Sequence, residues 1–243
     1  TVGAHTLYDI VRKLPDGAAI QLNSDQVSMR LEVKAGRSRF SLATLPREDF
    51  PIMANSEYDS SFSVAPKVLH RLFEKTKFAM STEETRYYLN GVYFHIANSS
   101  DKRVLRTVAT DGHRLAQIDE NIPSDLEEMP GVIVPRKTVG ELRMILESDE
   151  DSIAISVSET KIRFATSSLI LTSKVIDGSF PDYTRVIPKG NEKILEVNAS
   201  EFAQSVDRVS TISSERARAV KLNLYRDRLI LSVNSPDSGA ADE

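Results

Sequence analysis

Pro66-Lys67-Val68-Leu69-His70-Arg71-Leu72-Phe73 and Pro135-Arg136-Lys137-Thr138-Val139-Gly140-Glu141-Leu142 are two copies of one design. In each, a proline followed by a basic residue opens a short amphipathic helix. Proline suits the first helical position, where its missing N–H would find no partner in any case. Degenerate copies begin near Gly3 and Ala199, so the four starts are separated by 63, 69 and 64 residues. Leu7–Leu14 aligns with Val139–Leu146 at an offset of 132, and Phe40–Pro51 with Ile170–Pro181 at 130. Phe62–Phe73 aligns with Leu195–Val206 at 133. A period of about 130 residues built from two halves is the size of a domain. The chain then reads as the second half of one domain (1–56), a complete domain (57–188) and the first half of a third (189–243).

The helices are expected at Thr6–Leu14, Pro66–Met80, Pro135–Glu147 and Ala199–Ser210. Leu69, Leu72, Phe73 and Met80 mark the buried stripe of the second, and Val139, Leu142 and Leu146 that of the third. Between them lie short runs with strand character: Val27–Val33, Arg37–Ala43, Tyr88–Ile96, Leu105–Ala109, Ile153–Val157, Lys161–Ala165, Leu169–Val175, Lys221–Tyr225 and Leu229–Val233. Alternation such as Lys161-Ile162-Arg163-Phe164 buries one face and wets the other. Turns are expected at Pro15-Asp16-Gly17, Asn90-Gly91 and Asp177-Gly178. The fold class is α+β, with antiparallel sheets on one side and a helix pair on the other in each domain. Leu45–Asp59 and Asp177–Asn191 read as domain joints.

Bulk composition narrows the chemistry. The 243 residues are 40% hydrophobic and 27% charged, an ordinary globular balance. With no cysteine, disulfides and thiolate metal sites are excluded, which favours an intracellular setting. No apolar run reaches the roughly 18–20 residues of a membrane-spanning helix. Net charge is −4, which does not by itself suggest nucleic acid. The charge is segregated, however. Lys67, Arg71, Lys75 and Lys77 face a single Glu74 in the second helix, and Arg136, Lys137 and Arg143 face Glu141 and Glu147 in the third. Carboxylates concentrate in Asp119-Glu120, Asp125–Glu128, Glu147–Asp151 and Asp237–Glu243. One reading of each basic helix is a solvated face. The other, favoured by its recurrence, is a surface that attracts phosphates without regard to sequence.

The densest cluster is Arg106–Ala116, containing Asp111-Gly112-His113. A hydrolase would need a nucleophile beside a base. There is no cysteine and no Gly-x-Ser-x-Gly elbow, and the four histidines lack metal-ligand spacing. A hairpin turn or a binding surface accounts better for Asp-Gly at this place. No catalytic residue, metal or cofactor is expected.

Four stretches in order carry a family likeness: Arg86-Tyr87-Tyr88-Leu89-Asn90-Gly91, Thr107–Ala116, Val132–Lys137, and Asp177-Gly178-Ser179-Phe180-Pro181-Asp182-Tyr183. Together they resemble the bacterial replicative sliding clamps, the beta subunits of DNA polymerase III, and the resemblance extends along the whole chain. It implies a non-enzymatic processivity ring: a head-to-tail homodimer of three-domain subunits, with helices lining a hole around double-stranded DNA and sheets outside. It implies a cytoplasmic bacterial protein that holds DNA topologically. Arg12, Lys67, Arg71, Lys75, Lys77, Arg136, Lys137 and Arg143 would face phosphates. Tyr87 and Tyr88 would touch DNA or pack as strand residues. It also implies a pocket for a clamp-binding peptide of the DNA polymerase III alpha subunit, the clamp loader, other polymerases and repair proteins. That pocket would be formed by Arg86, Leu89, Thr110, Gly112, His113, Leu115, Pro181, Arg185 and Val186. Arg37, Arg39, Thr211 and Ile212 would lie at the dimer interface, with the acidic end Asp237–Glu243 meeting a basic edge. The rival readings are a hydrolase built on Asp111 and His113, and a β-rich interaction module without a nucleic-acid role.

Overall fold

Every strand pairing in the computed structural model is antiparallel, as the alternating patterns require. The structure describes residues 1–25, 27–50, 57–99, 102–146, 151–213 and 219–243. The chain divides into two compact units, Thr1–Phe180 and Pro181–Glu243. Residues 51–56 of the first expected joint and 147–150 of an acidic run lie outside the described residues.

The first unit opens with helix α1 (Ala4–Val11) and a three-stranded sheet, β1 (Ile20–Asp25), β2 (Arg30–Ala35) and β3 (Ser38–Ala43). Next come β4 (Ser60–Val64), α2 (Pro66–Glu74), β5 (Gly91–Ser99), β6 (Lys102–Thr110), β7 (Leu115–Asn121) and β8 (Val132–Pro135). Helix α3 (Arg136–Leu146), β9 (Ile153–Val157), β10 (Lys161–Ala165) and β11 (Ile170–Lys174) follow. They form two four-stranded sheets, ordered β11-β10-β9-β4 and β7-β6-β5-β8. The strand before each helix pairs with strands of the other half: β4 joins β9, and β8 joins β5. The two halves of the repeat therefore cannot separate without breaking both sheets. Ile176 N–H donates to Ile133 O at 2.9 Å and links the sheets at their adjoining edges.

Helices α2 and α3 pack on each other and on this sheet pair. Leu69, Leu72 and Phe73 of α2 and Val139, Leu142 and Ile145 of α3 are buried. The Phe73 ring lies 5.7 Å from Phe94 of β5 and 6.2 Å from Phe164 of β10, and Phe62 of β4 lies 6.3 Å from Phe94. One helical residue thus touches both sheets. The Leu72 carbonyl in the last turn of α2 accepts from buried Thr107 Oγ1 at 2.6 Å and Thr76 Oγ1 at 2.9 Å. Both hydroxyls satisfy a helix-end acceptor that would otherwise be orphaned in the core.

The second unit is smaller. Helix α4 (Ala199–Ser210) is capped by Asn198, whose Oδ1 accepts from the Ser200 and Glu201 amides. It packs on a sheet of β12 (Lys221–Leu224), β13 (Leu229–Ser235) and β14 (Gly239–Asp242), where Val209, Leu231 and Val233 form the core.

The structure corrects several boundaries. Helix α2 stops at Glu74, not Met80. Thr76 turns its hydroxyl back onto the Leu72 and Phe73 carbonyls, and Lys77–Ala79 continue as a 3-10 helix. Pro135 is the last residue of β8 and pairs with Gly91, so α3 starts one residue later. Fully buried Ile145, and not half-buried Leu146, completes its stripe. Helix α1 ends at Val11, before Leu14, whose successor Pro15 disfavours helical backbone. Val27–Met29 is a turn and not a strand. The Asp25 carboxylate gathers the Val27 and Ser28 amides and the Ser28 hydroxyl, and Met29 has φ 53°. Strands β1, β4, β8 and β14 were not expected. Tyr87 and Tyr88 belong to a 3-10 helix, Glu84–Leu89, so the strand-packing reading fails for both. Gly91 is the first residue of β5, paired with Pro135, and not part of a turn, and a Cβ there would come 2.4 Å from Val134 O.

Truncating the shared ring measures the cost of the two-sheet core. Phe73→Ala should lower the unfolding free energy by about 3–5 kcal/mol in urea titrations. Phe78→Ala, at a ring 57% exposed, should cost under about 1 kcal/mol. Equal losses would show that the core does not converge on Phe73.

Candidate nucleic-acid and peptide interface

The paired helices leave their basic residues outside. Lys67, Arg71 and Lys75 of α2, and Arg136, Lys137 and Arg143 of α3, are all exposed. They are not equivalent. Arg71 pairs with Glu120 at 3.0 Å, and Lys77, in the 3-10 helix, pairs with Glu74. Among the described residues, Lys67, Lys75, Arg136 and Lys137 form no ion pair, so these four keep a field open to an incoming anion. Gly140 faces open space on the same helix, leaving the surface beside Arg136 and Lys137 low. Arg12, at the C-cap of α1, lies 5.7 Å over the Tyr8 ring. Tyr87 is 54% exposed and meets Tyr88 edge-on at 5.8 Å.

The turn between β6 and β7 is held from within. Asp111 Oδ1 accepts from the His113 and Arg114 amides at 2.9 and 3.0 Å, and Oδ2 pairs with the Arg114 guanidinium. Burial pulls the Asp111 carboxyl upward, but those two amides and Arg114 together outweigh it and hold the group below the ordinary carboxylate value. Asp111 is thus engaged as a turn residue, bonded to the backbone of His113 and not to its ring. This arrangement does not orient a catalytic base. Thr110 Oγ1 donates to Arg114 O at 2.7 Å and accepts from Gly112 N at 3.1 Å. Gly112 takes φ +89°, in the left-handed region.

Arg86 belongs to this turn in space. Its Nη1 reaches Asp111 O at 3.5 Å, its Nε pairs with Glu83 at 2.9 Å, and a Cβ on Gly112 would stand 2.6 Å from Nη1. Of the expected pocket residues, Arg86, Thr110, Gly112, His113 and Leu115 therefore gather on one turn and the 3-10 helix beside it. His113 is exposed, Leu115 is half-buried, and Leu89 is buried. In the second unit, Pro181, Arg185 and Val186 are exposed around a 3-10 helix, Tyr183–Arg185. Asp182 caps that helix through Thr184 and pairs with Arg185 at 2.9 Å.

Two further contacts had no signal in the sequence. Arg114 donates to Phe78 O at 2.7 Å and lies over the Phe78 ring at 5.5 Å. On the face of β7-β6-β5-β8 opposite the core, buried Arg106 grips Asp119 with two hydrogen bonds of 2.6 and 2.7 Å.

The expected interface residues are divided. Arg37 sits in the tight turn after Gly36 (φ +56°) and not in a strand, while Arg39 on edge strand β3 pairs with Glu32 of its own sheet. Thr211 caps α4, and Ile212 packs half-buried on the second core. Glu243 is held down to about 2 by hydrogen bonds from Arg208 and Ser205, so this end of the acidic run is already paired. Among the described residues no cluster suits a metal ion, and no helix is long and apolar enough to cross a membrane.

His95 gives the first unit a pH signature. Burial pushes its imidazole below the ordinary histidine value. The Ile96 carbonyl, which accepts from Nδ1 at 2.8 Å, opposes that shift, nearby Arg106 adds to it and Asp119 resists it. A depressed histidine leaves the unfolded chain the stronger proton binder, so stability falls as pH drops through about 6.5. Asp119, lowered chiefly by Arg106, gives stability that is lost only as pH falls further, through the carboxylate range. Urea unfolding across this range should show the loss in two stages, and His95→Gln should remove the first. A single stage near pH 4 would contradict the assignment.

Comparison with known proteins follows the same lines. Models of the DNA polymerase III beta subunit match in three consecutive stretches: its N-terminal domain over residues 1–54, its central domain over 63–182 and its C-terminal domain over 184–243. The beta sliding clamp of Caulobacter vibrioides strain NA1000 is 51% identical over the whole chain, and that of Escherichia coli K12 is 39% identical. The chain spans 65% and 64% of their lengths. A solved sliding clamp from Bartonella birtlesii, bound to griselimycin, superposes with a TM-score of 0.88 at 52% identity, covering all of this chain and 64% of that one. The chain belongs to the family of the DNA polymerase III beta subunit, the bacterial sliding clamps.

Proposed function

We propose that this chain serves within a replicative sliding clamp, a non-enzymatic ring that encircles duplex DNA and tethers DNA polymerase III. In this reading the segments 1–56, 57–188 and 189–243 are parts of three clamp domains, and the ring is a head-to-tail homodimer working in the bacterial cytoplasm. The observation that carries it is the quartet Lys67, Lys75, Arg136 and Lys137, without an ion pair among the described residues, on paired helices of a net acidic chain. Attraction of this kind tracks phosphates and carries no base readout, which suits a protein that must slide. Arg12, Arg71, Lys77, Arg143, Tyr87 and Tyr88 are weaker candidates for the same surface. Arg71 and Lys77 each contribute less while held by a carboxylate.

The second part of the reading is peptide capture. Arg86, Leu89, Thr110, Gly112, His113 and Leu115, with Pro181, Arg185 and Val186, would receive the clamp-binding peptide of the polymerase alpha subunit, the clamp loader or repair proteins. The Arg86–Gly112 approach supports it, because a guanidinium and a bare backbone offer hydrogen bonds to an extended chain. Arg37, Arg39, Thr211 and Ile212 remain the proposed ring contacts.

Duplex binding by the chain should weaken steeply with salt. Lys67→Gln with Lys75→Gln should reduce the slope of log affinity against log salt by up to about 1.8, since each phosphate contact contributes about 0.9. The same change at Lys102 and Lys174, outside the two helices, should leave it alone. His113→Ala should lower capture of an alpha-subunit peptide without changing the duplex slope. An unchanged slope in the α2 variant would refute the DNA-facing assignment.

A further inference from the structure

Residues Ile176–Phe180 close the first unit, and three of them are held by separate contacts. Ile176 N–H bonds Ile133 O, and Ile133 is the cross-strand partner of Tyr93. The chain is thereby laid along the row of side chains that Tyr93 and His95 form on β5, on the face opposite the core. Phe180 then stacks on Tyr93 at 4.9 Å with the rings 7° from parallel. Tyr93 stacks in turn on His95 at 4.3 Å and 21°. Between these anchors, Gly178 passes so close to the 3-10 helix Glu84–Leu89 that a Cβ would lie 3.3 Å from Tyr88 Cβ and 3.5 Å from the Tyr87 ring. Gly131 makes room for the stack, since a Cβ there would stand 2.4 Å from the Tyr93 hydroxyl.

We propose that the stack His95–Tyr93–Phe180 is a clasp that fixes the segment Ile176–Phe180, and that Tyr93 is thereby a positioning residue for the 3-10 helix Glu84–Leu89, which carries Arg86 and Leu89 and against which Gly178 rests. The inference rests on the peptide-pocket reading above. Gly178 lies between the anchored Ile176 and Phe180 and rests on Tyr87 and Tyr88, the two residues that follow Arg86 in its helix. A pocket wall built on Arg86 and Leu89 gains from being fixed beforehand, because ordering it only when peptide arrives would subtract from affinity. Three flat rings suit the task, since stacked aromatics combine large contact area with few rotatable bonds.

The chain contains no tryptophan, so Phe180→Trp installs a single reporter at the end of the stack. Its emission should be blue-shifted and protected from acrylamide. Adding Tyr93→Phe, which keeps the ring, should preserve this. Adding Tyr93→Leu should shift emission to the red and raise quenching several-fold. Gly131→Ala offers a second route that leaves every ring in place. It should loosen the reporter, and Tyr93→Phe should restore it by removing the colliding hydroxyl. In the background without tryptophan, Phe180→Leu should weaken alpha-subunit peptide binding about ten-fold, and Phe180→Tyr should retain it, with similar urea midpoints throughout. A reporter that is solvent-exposed from the start, or indifferent to Tyr93→Leu and Gly131→Ala, overturns the clasp. Full peptide affinity in Phe180→Leu overturns the positioning role. Failure of the parent chain itself to bind peptide strikes the pocket reading, and the emission measurements still decide the clasp.

Discussion

The Phe73 ring is the point on which the first unit's architecture turns. A helix carries it, one neighbour is a strand of the sheet β7-β6-β5-β8, and another is a strand of β11-β10-β9-β4. The exchange of β4 and β8 between the halves means that neither sheet is complete without residues from both sides of the repeat. Burial of the aromatic cluster then rewards closing both sheets at once, and an interior packed to crystal density tolerates few alternatives. Helices α2 and α3 have their apolar stripes committed to this core. Their other faces must point outward, which makes a basic outer face a consequence of the packing.

That outer face is more selective than its composition suggests. Glu120 of β7 reaches Arg71, and Glu74 folds back on Lys77, so half of the cationic charge of the second helix region is compensated locally. Exposed ion pairs contribute little to stability. Their effect here is on the field, which they reduce around Arg71 and Lys77 and leave intact around Lys67 and Lys75. An overall charge of −4 then coexists with a cationic helix pair because carboxylates such as Asp125, Glu127 and Glu128 lie in the segment between β7 and β8.

Periodic signals were legible in the sequence and juxtapositions were not. Proline at the start of α2, the stripes of Leu69 and Leu72 on α2 and Val139 and Leu142 on α3, and the alternation of Lys161–Ala165 each encode local geometry, and α4, β9 and β10 were read to the residue. The α2 terminus was misread because Met80 continues the apolar spacing, while the hydroxyl of Thr76, whose helix-ending role depends on the Leu72 carbonyl, does not announce itself. Strand β1 hid because its last residue, Asp25, organises a turn at Val27–Met29 that looked like the start of β2. At the site, Asp111-Gly112 was readable as a turn since Asp and Gly each have a local reason to be there. The approach of Arg86 to Gly112 was not readable, for nothing in either stretch refers to the other except a shared family pattern.

Glycines mark where such hidden contacts lie. Gly17, Gly36, Gly112, Gly190 and Gly239 take positive φ, a local demand visible in any turn. Gly91, Gly131 and Gly178 have no such demand, and each is small because something distant needs the space: the β8 backbone, the Tyr93 hydroxyl and the Tyr88 side chain. Two of these three serve the path from β8 to Phe180. A segment read as a loop from its Asp-Gly-Ser-Phe-Pro composition is therefore held closely at Gly178 and at Phe180. Gly131 leaves room for the hydroxyl of the central ring and Gly178 lets the segment rest on Tyr87 and Tyr88, and these spatial demands separate it from a flexible tether.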